Sequence, residues 1–401
     1  MVAIERTATR ITGFANPELD FQLMRMLGAA SYGGGAPGEI FAARAGLDET
    51  PREWPRRFAD LAAGIERMAD VALGRGHRVS AREHYGRASM YYRSAEYFCD
   101  PFVGEALQYG LASQRCFAAA MPLFADNVIA IDIPFGDVLL PGYFCAPAGG
   151  AVDGRTLVAI TGFDGTNEEM FFSAARAGLE RGFNVLLAQG PGQVSAMRRY
   201  PDLVFRPDYE APLAAVIDAA LARPDINGDR LGLYGVSFGG YFATRAAIHD
   251  PRLKALVLNS PIVDLKAYLL GFMPPGAEEM EDLPLAYVDE IPDEMMPVTM
   301  KLSFKSACRR YGVDGTHAWL KRLADFRAEE GLERIACPTL AVVGEGEGEE
   351  ALRQLDVFAS RAGGRVTRYV FTRAEGADMH CQVGNLPLGL AVVYDWLEEV
   401  L

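Results

Sequence analysis

The chain has 401 residues, half of them hydrophobic, and a formal net charge of −14. That length supports a large core, in one big domain with an accessory part or in two domains. The acidic balance and the lack of any basic stripe argue against nucleic acid as a partner, and no stretch reaches the eighteen or so uninterrupted apolar residues of a membrane span.

The N-terminal stretch MVAIERTATRITGF has no apolar centre of signal-peptide length. Six cysteines are scattered along the chain (Cys99, Cys116, Cys145, Cys308, Cys337 and Cys381), with no CxxC pair and no cluster with histidine. This pattern predicts no structural metal and free thiols in a cytoplasmic protein.

Up to about Pro122 the chain reads as helical. RRFADLAAGIERMADVALGRG carries apolar residues at helical spacing. SAREHYGRASMYYRSAEYF follows, with Ser80 and Glu83 spaced as a capping box. Gly74 and Gly76 punctuate the two segments and predict a helical hairpin.

Near Asp126 the period changes. NVIAIDIPFGDVLLPGYFCAP predicts two strands turning at Pro134-Phe135-Gly136. Strands and helices then alternate. TLVAIT (156–161), NVLLAQ (184–189), RLGLYGV (230–236) and KALVLNS (254–260) read as strands, with helices from about Asn167, across YEAPLAAVIDAALAR and from Phe238. The alternation pauses between about 261 and 334, a Met-, Pro- and acid-rich stretch that reads as an inserted lid. It resumes with TLAVVG (339–344), a helix near 351–362, RVTRYVF and a last helix ending in DWLEEVL. Apolar strands separated by helices imply a mostly parallel sheet covered on both faces. The expected division is a helical domain over 1–122 and an α/β domain over 123–401.

Gly235-Val236-Ser237-Phe238-Gly239 fits G-x-S-x-G between a strand and a helix, the context in which that pattern forms a nucleophile elbow. The tight turn lifts the Ser237 hydroxyl out of the sheet edge, and the backbone N–H of Phe238, where the next helix begins, points at developing negative charge. The bland alternative is a glycine-rich turn with an incidental serine. A serine hydroxyl also needs a base. Of the five histidines, His77 and His84 fall in the helical part, His249 ends the helix after the elbow, and His317 lies in the insert. His380, in EGADMHCQVGN between the last strand and the last helix, fits the chain order Ser, acid, His of an α/β-hydrolase.

The acid has several candidates. Glu347 stands third after Gly344 in the loop following TLAVVG, and a glutamate orients an imidazole with one methylene more of reach. Asp264, one strand earlier, is the rival, and Glu345 a further option. Glu349 and Glu350 suit the N-terminus of the next helix better. Asp378 lies too close to His380 in sequence to reach the far ring nitrogen. The second oxyanion donor is expected in the loop Thr161–Glu169, from the N–H of Phe163. Asp164 beside it either orients water or a substrate hydroxyl or ketone, or caps the following helix. Tyr85, Tyr91 and Tyr92, together with methionines of the insert, either line the pocket or pack between helices.

GPGQ (190–193), FRPDYEAPLAAVIDAA, GVSFGGYFATRAA and MHCQVGN resemble the FrsA-like branch of the α/β-hydrolases. That branch includes 2,6-dihydroxypseudooxynicotine hydrolase and fungal pigment hydrolases that shorten polyketide chains. FQLMRMLGAASYGGGAPGEI and SAREHYGRASMYYRSAEYF are similar to the branch's helical cap, so the resemblance covers most of the chain. It implies an α/β-hydrolase fold with an N-terminal cap, and a serine hydrolase whose nucleophile and base are Ser237 and His380. Some members cleave a C–C bond next to a ketone, and the acidic residue implicated there falls on Asp164. Glu347 departs from the Asp of the nicotine-pathway enzyme. The loop GFDGTNEEM is closer to the polyketide-shortening members, which makes acyl chains or β-diketones the implied substrates.

The reading is thus a cofactor-free hydrolase acting on a small molecule through an acyl-enzyme. Its rivals are a carboxylesterase, an acyltransferase or cyclase on the same triad, and a hydrolase-fold binding protein without turnover. The cap also offers a surface for homodimerisation.

Overall fold

The computed structural model describes residues 10–273, 276–279 and 281–401. Met280 of the insert and most of the N-terminal stretch lie outside them. The described residues divide into two compact units: one runs to Phe124 and includes Ile291–Ser303, and the other spans Ala125–Glu290 and Phe304–Leu401.

The larger unit is built on eight strands: β1 (Asn127–Phe135), β2 (Val138–Ala146), β3 (Thr156–Ile160), β4 (Asn184–Ala188), β5 (Leu231–Val236), β6 (Ala255–Asn259), β7 (Thr339–Gly344) and β8 (Val366–Phe371). They lie in the order β1-β2-β4-β3-β5-β6-β7-β8. β1 and β2 form an antiparallel hairpin, and β2 joins β4 antiparallel. From β4 to β8 every pairing is parallel.

Composition explains the division of labour. β3, β4, β6 and β7 are buried at every residue, as expected of apolar runs covered by helices on both faces. β1, at the edge of the sheet, is mostly exposed or half-buried, with only Val128 and Ile133 buried. The β1–β2 turn uses Gly136 at φ +55°.

Register decides where the chemistry can sit. Ile160 pairs with Gly235, Val236 with Asn259, and Asn259 with Val342. The chain therefore leaves β3, β5 and β6 side by side at one edge, presenting Thr161, Ser237 and Ser260. Ligand sites in open parallel sheets form at this carboxyl edge.

The smaller unit is helical, with helices Pro17–Ala29, Pro37–Arg44, Trp54–Gly74, Arg78–Tyr97 and Gly104–Ala120. Asn16 caps the first, accepting the N–H groups of Glu18 and Leu19. The expected hairpin forms, with buried Ala62, Ala69, Ala81, Ala88 and Ala95 allowing its two helices a close approach. Trp54 Nε1 donates to the Ser94 carbonyl at 3.1 Å. The capping box does not form: the helix begins at Arg78, its N-cap is His77, and Ser80 and Glu83 lie inside the helix.

The insert does not stay whole. Ile291–Ser303 belong to the helical unit, where Lys301 Nζ bonds Asp293 at 2.8 Å and Arg52 reaches the same carboxylate. The rest, including helices Leu265–Leu270 and Thr316–Leu323, belongs to the sheet unit. Among the described residues no helix is long and apolar enough to cross a membrane.

Candidate active site

Ser237 follows β5 at φ +58°, and the helix Gly239–His249 begins two residues later. This left-handed conformation is one that side chains other than glycine rarely adopt, and it turns the hydroxyl out of the strand. Its N–H donates to the Asn259 carbonyl at 2.5 Å. A Cβ at Gly239 would stand 2.5 Å from the Ile160 carbonyl oxygen, so only glycine lets the helix start this close to β3.

His380 sits across from the serine. Its Nε2 lies 2.8 Å from Ser237 Oγ and its Nδ1 2.6 Å from Glu347 Oε2. An ionised carboxylate accepts only, so Nδ1 carries the proton and Nε2 is left to accept from the hydroxyl. The imidazole is partly exposed, with 28% of its side-chain surface accessible, whereas the Glu347 side chain is fully buried.

Glu347 is held from several directions. Its Oε1 accepts the Gly344 N–H at 2.8 Å, and its Oε2 accepts the hydroxyls of Ser260 at 2.7 Å and Tyr268 at 2.8 Å besides His380. The short 3-10 turn Glu345–Glu347 folds the side chain back over Gly344. Burial opposes its charge, but the charge on His380 and these hydrogen bonds outweigh it, so the carboxyl sits below the usual glutamate range. Burial likewise opposes charge on His380. The Cys381 sulfur and the Glu347 carboxylate outweigh it and lift the imidazole well above its ordinary pKa.

Asp264 and Glu345, the other acid candidates, are engaged elsewhere. Asp264 caps the helix Leu265–Leu270 through the Ala267 N–H at 2.9 Å and faces Arg327 at 3.5 Å. Glu345 accepts the Arg373 N–H at 2.6 Å. Asp378 contributes its carbonyl to the Gly346 N–H at 3.0 Å.

The loop after β3 comes directly against the serine. A Cβ at Gly162 would lie 2.6 Å from Phe238 N and 2.9 Å from Ser237 Oγ, so the Phe163 peptide begins beside the elbow only because residue 162 lacks a side chain. The Phe238 ring is in the core, 4.3 Å from the Phe242 centroid, leaving its backbone at the site. The Phe163 ring stacks on Phe205 at 5.7 Å, with the Arg310 guanidinium 4.8 Å from its centroid. Asp164 is half-buried on this loop. It does not cap the next helix: Thr166 does, accepting the Glu169 N–H at 3.2 Å.

Two fully buried glutamines tie this loop down. Gln193 Nε2 donates to the carbonyls of Thr161 at 2.6 Å and Gly162 at 3.2 Å, while its Oε1 accepts from the Gly190 N–H and the Tyr209 hydroxyl. Gln189 Nε2 donates to the Gly165 carbonyl at 2.5 Å and its Oε1 accepts the Ser195 N–H at 2.6 Å. Neither glutamine was singled out for a role from sequence. The signal is AQGPGQ at the end of a buried strand, where a polar side chain must find hydrogen-bond partners.

The cap tyrosines find partners inside the helical unit. Tyr85 bonds Asp70 at 2.6 Å, Tyr91 bonds Glu39 at 2.7 Å and Tyr92 bonds Glu66 at 2.8 Å. Burial and the adjacent carboxylate push the Tyr85 hydroxyl up to about 12. Of the insert methionines, Met295 and Met300 are exposed.

Residues 179–289 match the Prolyl oligopeptidase family. Among curated proteins, the α/β hydrolase xenA of Xenoacremonium sinensis is 31% identical, over 84% of each chain. The hydrolase ORFZ of Pyricularia oryzae is 32% identical, over 82% of each. The crystal structure of 2,6-dihydroxy-pseudo-oxynicotine hydrolase shares the fold, with a TM-score of 0.74, 23% identity and coverage of 94% of this chain and 95% of that one.

Proposed function

This chain belongs to the α/β-hydrolase family, and from that premise we propose that it is a serine hydrolase in which Ser237 is the nucleophile, His380 the base and Glu347 the group that orients it. The observation that carries this reading is the unbroken line from Ser237 Oγ through His380 to the buried Glu347 carboxylate, at 2.8 and 2.6 Å.

In the proposed reaction Ser237 Oγ bonds to a substrate carbonyl carbon as its proton passes to His380 Nε2. The carbonyl oxygen becomes an oxyanion between the N–H groups of Phe163 and Phe238, each such donor contributing about 3 kcal/mol to the transition state. When the carbonyl re-forms, the bond to the leaving group breaks with its electron pair, and the leaving atom takes the proton from His380. Water, deprotonated by His380, then attacks the acyl-enzyme, releasing the acid and restoring the Ser237 hydroxyl. No cofactor enters this scheme.

The proposed substrates are ketones whose leaving group is carbon, as in a β-diketone or polyketide-like chain. There the departing carbanion is stabilised as an enolate. Asp164, half-buried beside Phe163, is the group proposed to hold the ketone-bearing part through water or a hydroxyl. An ester would pass through the same acyl-enzyme.

The test is labelling by a fluorophosphonate, followed by product mass spectrometry on β-diketones and p-nitrophenyl esters. Loss of labelling in Ser237→Ala supports the nucleophile, and retained labelling refutes it. Ester turnover without diketone cleavage would replace the C–C reading by a carboxylesterase. Selective loss of diketone cleavage in Asp164→Asn supports its special role, and equal loss of both activities removes it.

A further inference from the structure

Three hydrogen-bond donors converge on one carboxylate oxygen. Glu347 Oε2 receives His380 Nδ1 at 2.6 Å, the Ser260 hydroxyl at 2.7 Å and the Tyr268 hydroxyl at 2.8 Å. The other oxygen has the Gly344 N–H. A carboxylate that serves only to hold an imidazole does not require two further hydroxyls, and burying them there calls for a reason.

The two hydroxyls come from different places. Ser260 is the residue directly after β6. Tyr268 belongs to the helix Leu265–Leu270 that opens the insert. That helix is fastened to the acid's own segment by the buried Gln354, from the helix Glu349–Arg361 that follows Glu347. Gln354 Oε1 accepts the N–H groups of Val263 at 2.8 Å and Asp264 at 3.0 Å, and its Nε2 donates to the Asp264 carbonyl at 2.8 Å. The Tyr268 hydroxyl is therefore brought to Glu347 by a braced segment.

We propose that Ser260 and Tyr268 are positioning residues of the triad: their hydroxyls fix the Glu347 carboxylate and withdraw part of its charge, which limits how strongly it holds a proton on His380. This rests on the serine-hydrolase reading above.

The physical argument runs through proton affinity. Each donor to a carboxylate stabilises its ionised form and weakens its pull on the next proton. Burial and the Glu347 charge hold the Tyr268 hydroxyl well above its ordinary pKa, so it stays a neutral donor. With both hydroxyls present, Glu347 orients the imidazole while holding its proton less tightly than a carboxylate without those donors would. Without one, the carboxylate turns more of its charge on His380, and the base stays protonated to higher pH. The titratable groups facing this arrangement are Cys381, next to His380, Tyr268 on its helix, Asp378 against Gly346, and Glu350, which bonds Gln354.

The experiment is the pH dependence of fluorophosphonate labelling in the full chain, with Tyr268→Phe, Ser260→Ala and Ser237→Ala in parallel. Tyr268→Phe keeps the ring and its edge contact with Phe272. Each hydroxyl deletion is expected to slow labelling at neutral pH about ten-fold, the effect of one lost hydrogen bond to a charged group. Each is also expected to move the acidic limb of the profile to higher pH. Slower labelling with an unmoved limb, which a merely structural role predicts, would overturn the proposal, and so would a limb moved to lower pH. Unchanged rates would overturn it too. If Tyr268→Phe does not fold, Ser260→Ala decides on the same criteria. Labelling that survives Ser237→Ala would instead overturn the serine-hydrolase reading, so the two failures are separable.

Discussion

Asn259 and Gln382 face each other through their side-chain amides, Asn259 Nδ2 to Gln382 Oε1 at 2.7 Å and Gln382 Nε2 to Asn259 Oδ1 at 3.5 Å. Asn259 ends β6 and also accepts the Ser237 N–H through its carbonyl. Gln382 lies two residues beyond His380, at φ +52°. One residue thus ties the serine's turn to the histidine's turn, and the next residue, Ser260, reaches Glu347. The end of β6 is the common anchor of all three segments.

Replacing Gln382 by alanine is therefore expected to loosen His380 without touching bound substrate. It leaves the buried Asn259 amide short of a partner, which costs about 1–3 kcal/mol of stability. In steady-state kinetics kcat should fall about ten-fold or more with KM little changed, because misplacement of the base acts on the chemical step. A change confined to KM would contradict this.

The pH profile follows from His380. As the proposed base it must be neutral to accept the Ser237 proton, and the Cys381 sulfur and Glu347, acting against burial, raise the pH at which it becomes so. kcat/KM should still be climbing above the ordinary imidazole range near 6.5. Linkage gives the sign for stability. A pKa raised on folding adds stability that is complete below the unfolded value and is lost as pH rises through the folded one. Melting temperature should therefore fall on the alkaline side, and His380→Ala should flatten that fall. A profile already level at pH 6 would contradict the assignment.

Gly162 gives a sharp steric test. A methyl group there would meet Ser237 Oγ at 2.9 Å and Phe238 N at 2.6 Å. Gly162→Ala must push the loop away from the elbow and separate the two proposed oxyanion donors. Loss of one such donor lowers kcat about 100- to 1000-fold. Fluorophosphonate labelling should fall with it, while circular dichroism stays native.

Much of this arrangement was legible beforehand because it leaves local marks. The central strands read as strands since burial on both faces forces continuous apolar runs, as in Leu157–Ile160 and Val185–Ala188. A strained turn marks Ser237 and chain order marks His380, and the two side chains meet at 2.8 Å. The sequence leaves the carboxylate partner of His380 open, because Glu347, Asp264 and Glu345 look alike until the side chains are followed to the Gly344, Ala267 and Arg373 N–H groups. Gln189, Gln193, Ser260 and Tyr268 escaped notice because an amide or hydroxyl gains its role only from what lies opposite it in space. Division of the insert depended on the same long-range contacts, with Asp293 bonding Lys301 inside the helical unit.

Glu347 separates charge from reach. Glu347→Gln keeps the length but puts an amide where an acceptor-only group orients Nδ1–H. The amide can turn its NH2 toward the imidazole and favour the tautomer that presents Nε2–H to the serine. In the analogous change of a triad carboxylate to its amide, kcat drops about 10⁴-fold. A similar loss is expected here, measured as turnover of an activated ester. Glu347→Asp keeps the charge and shortens the side chain by one methylene, drawing the carboxylate back from the 2.6 Å contact with His380. Its loss should be smaller than that of the glutamine variant, since a carboxylate can still hold the tautomer through a longer contact or a water. It should also destabilise the fold, because Ser260 and Tyr268 then point at a vacated acceptor. Equal activity of the aspartate and glutamine variants would mean that reach, not charge, is what the chain needs at this position.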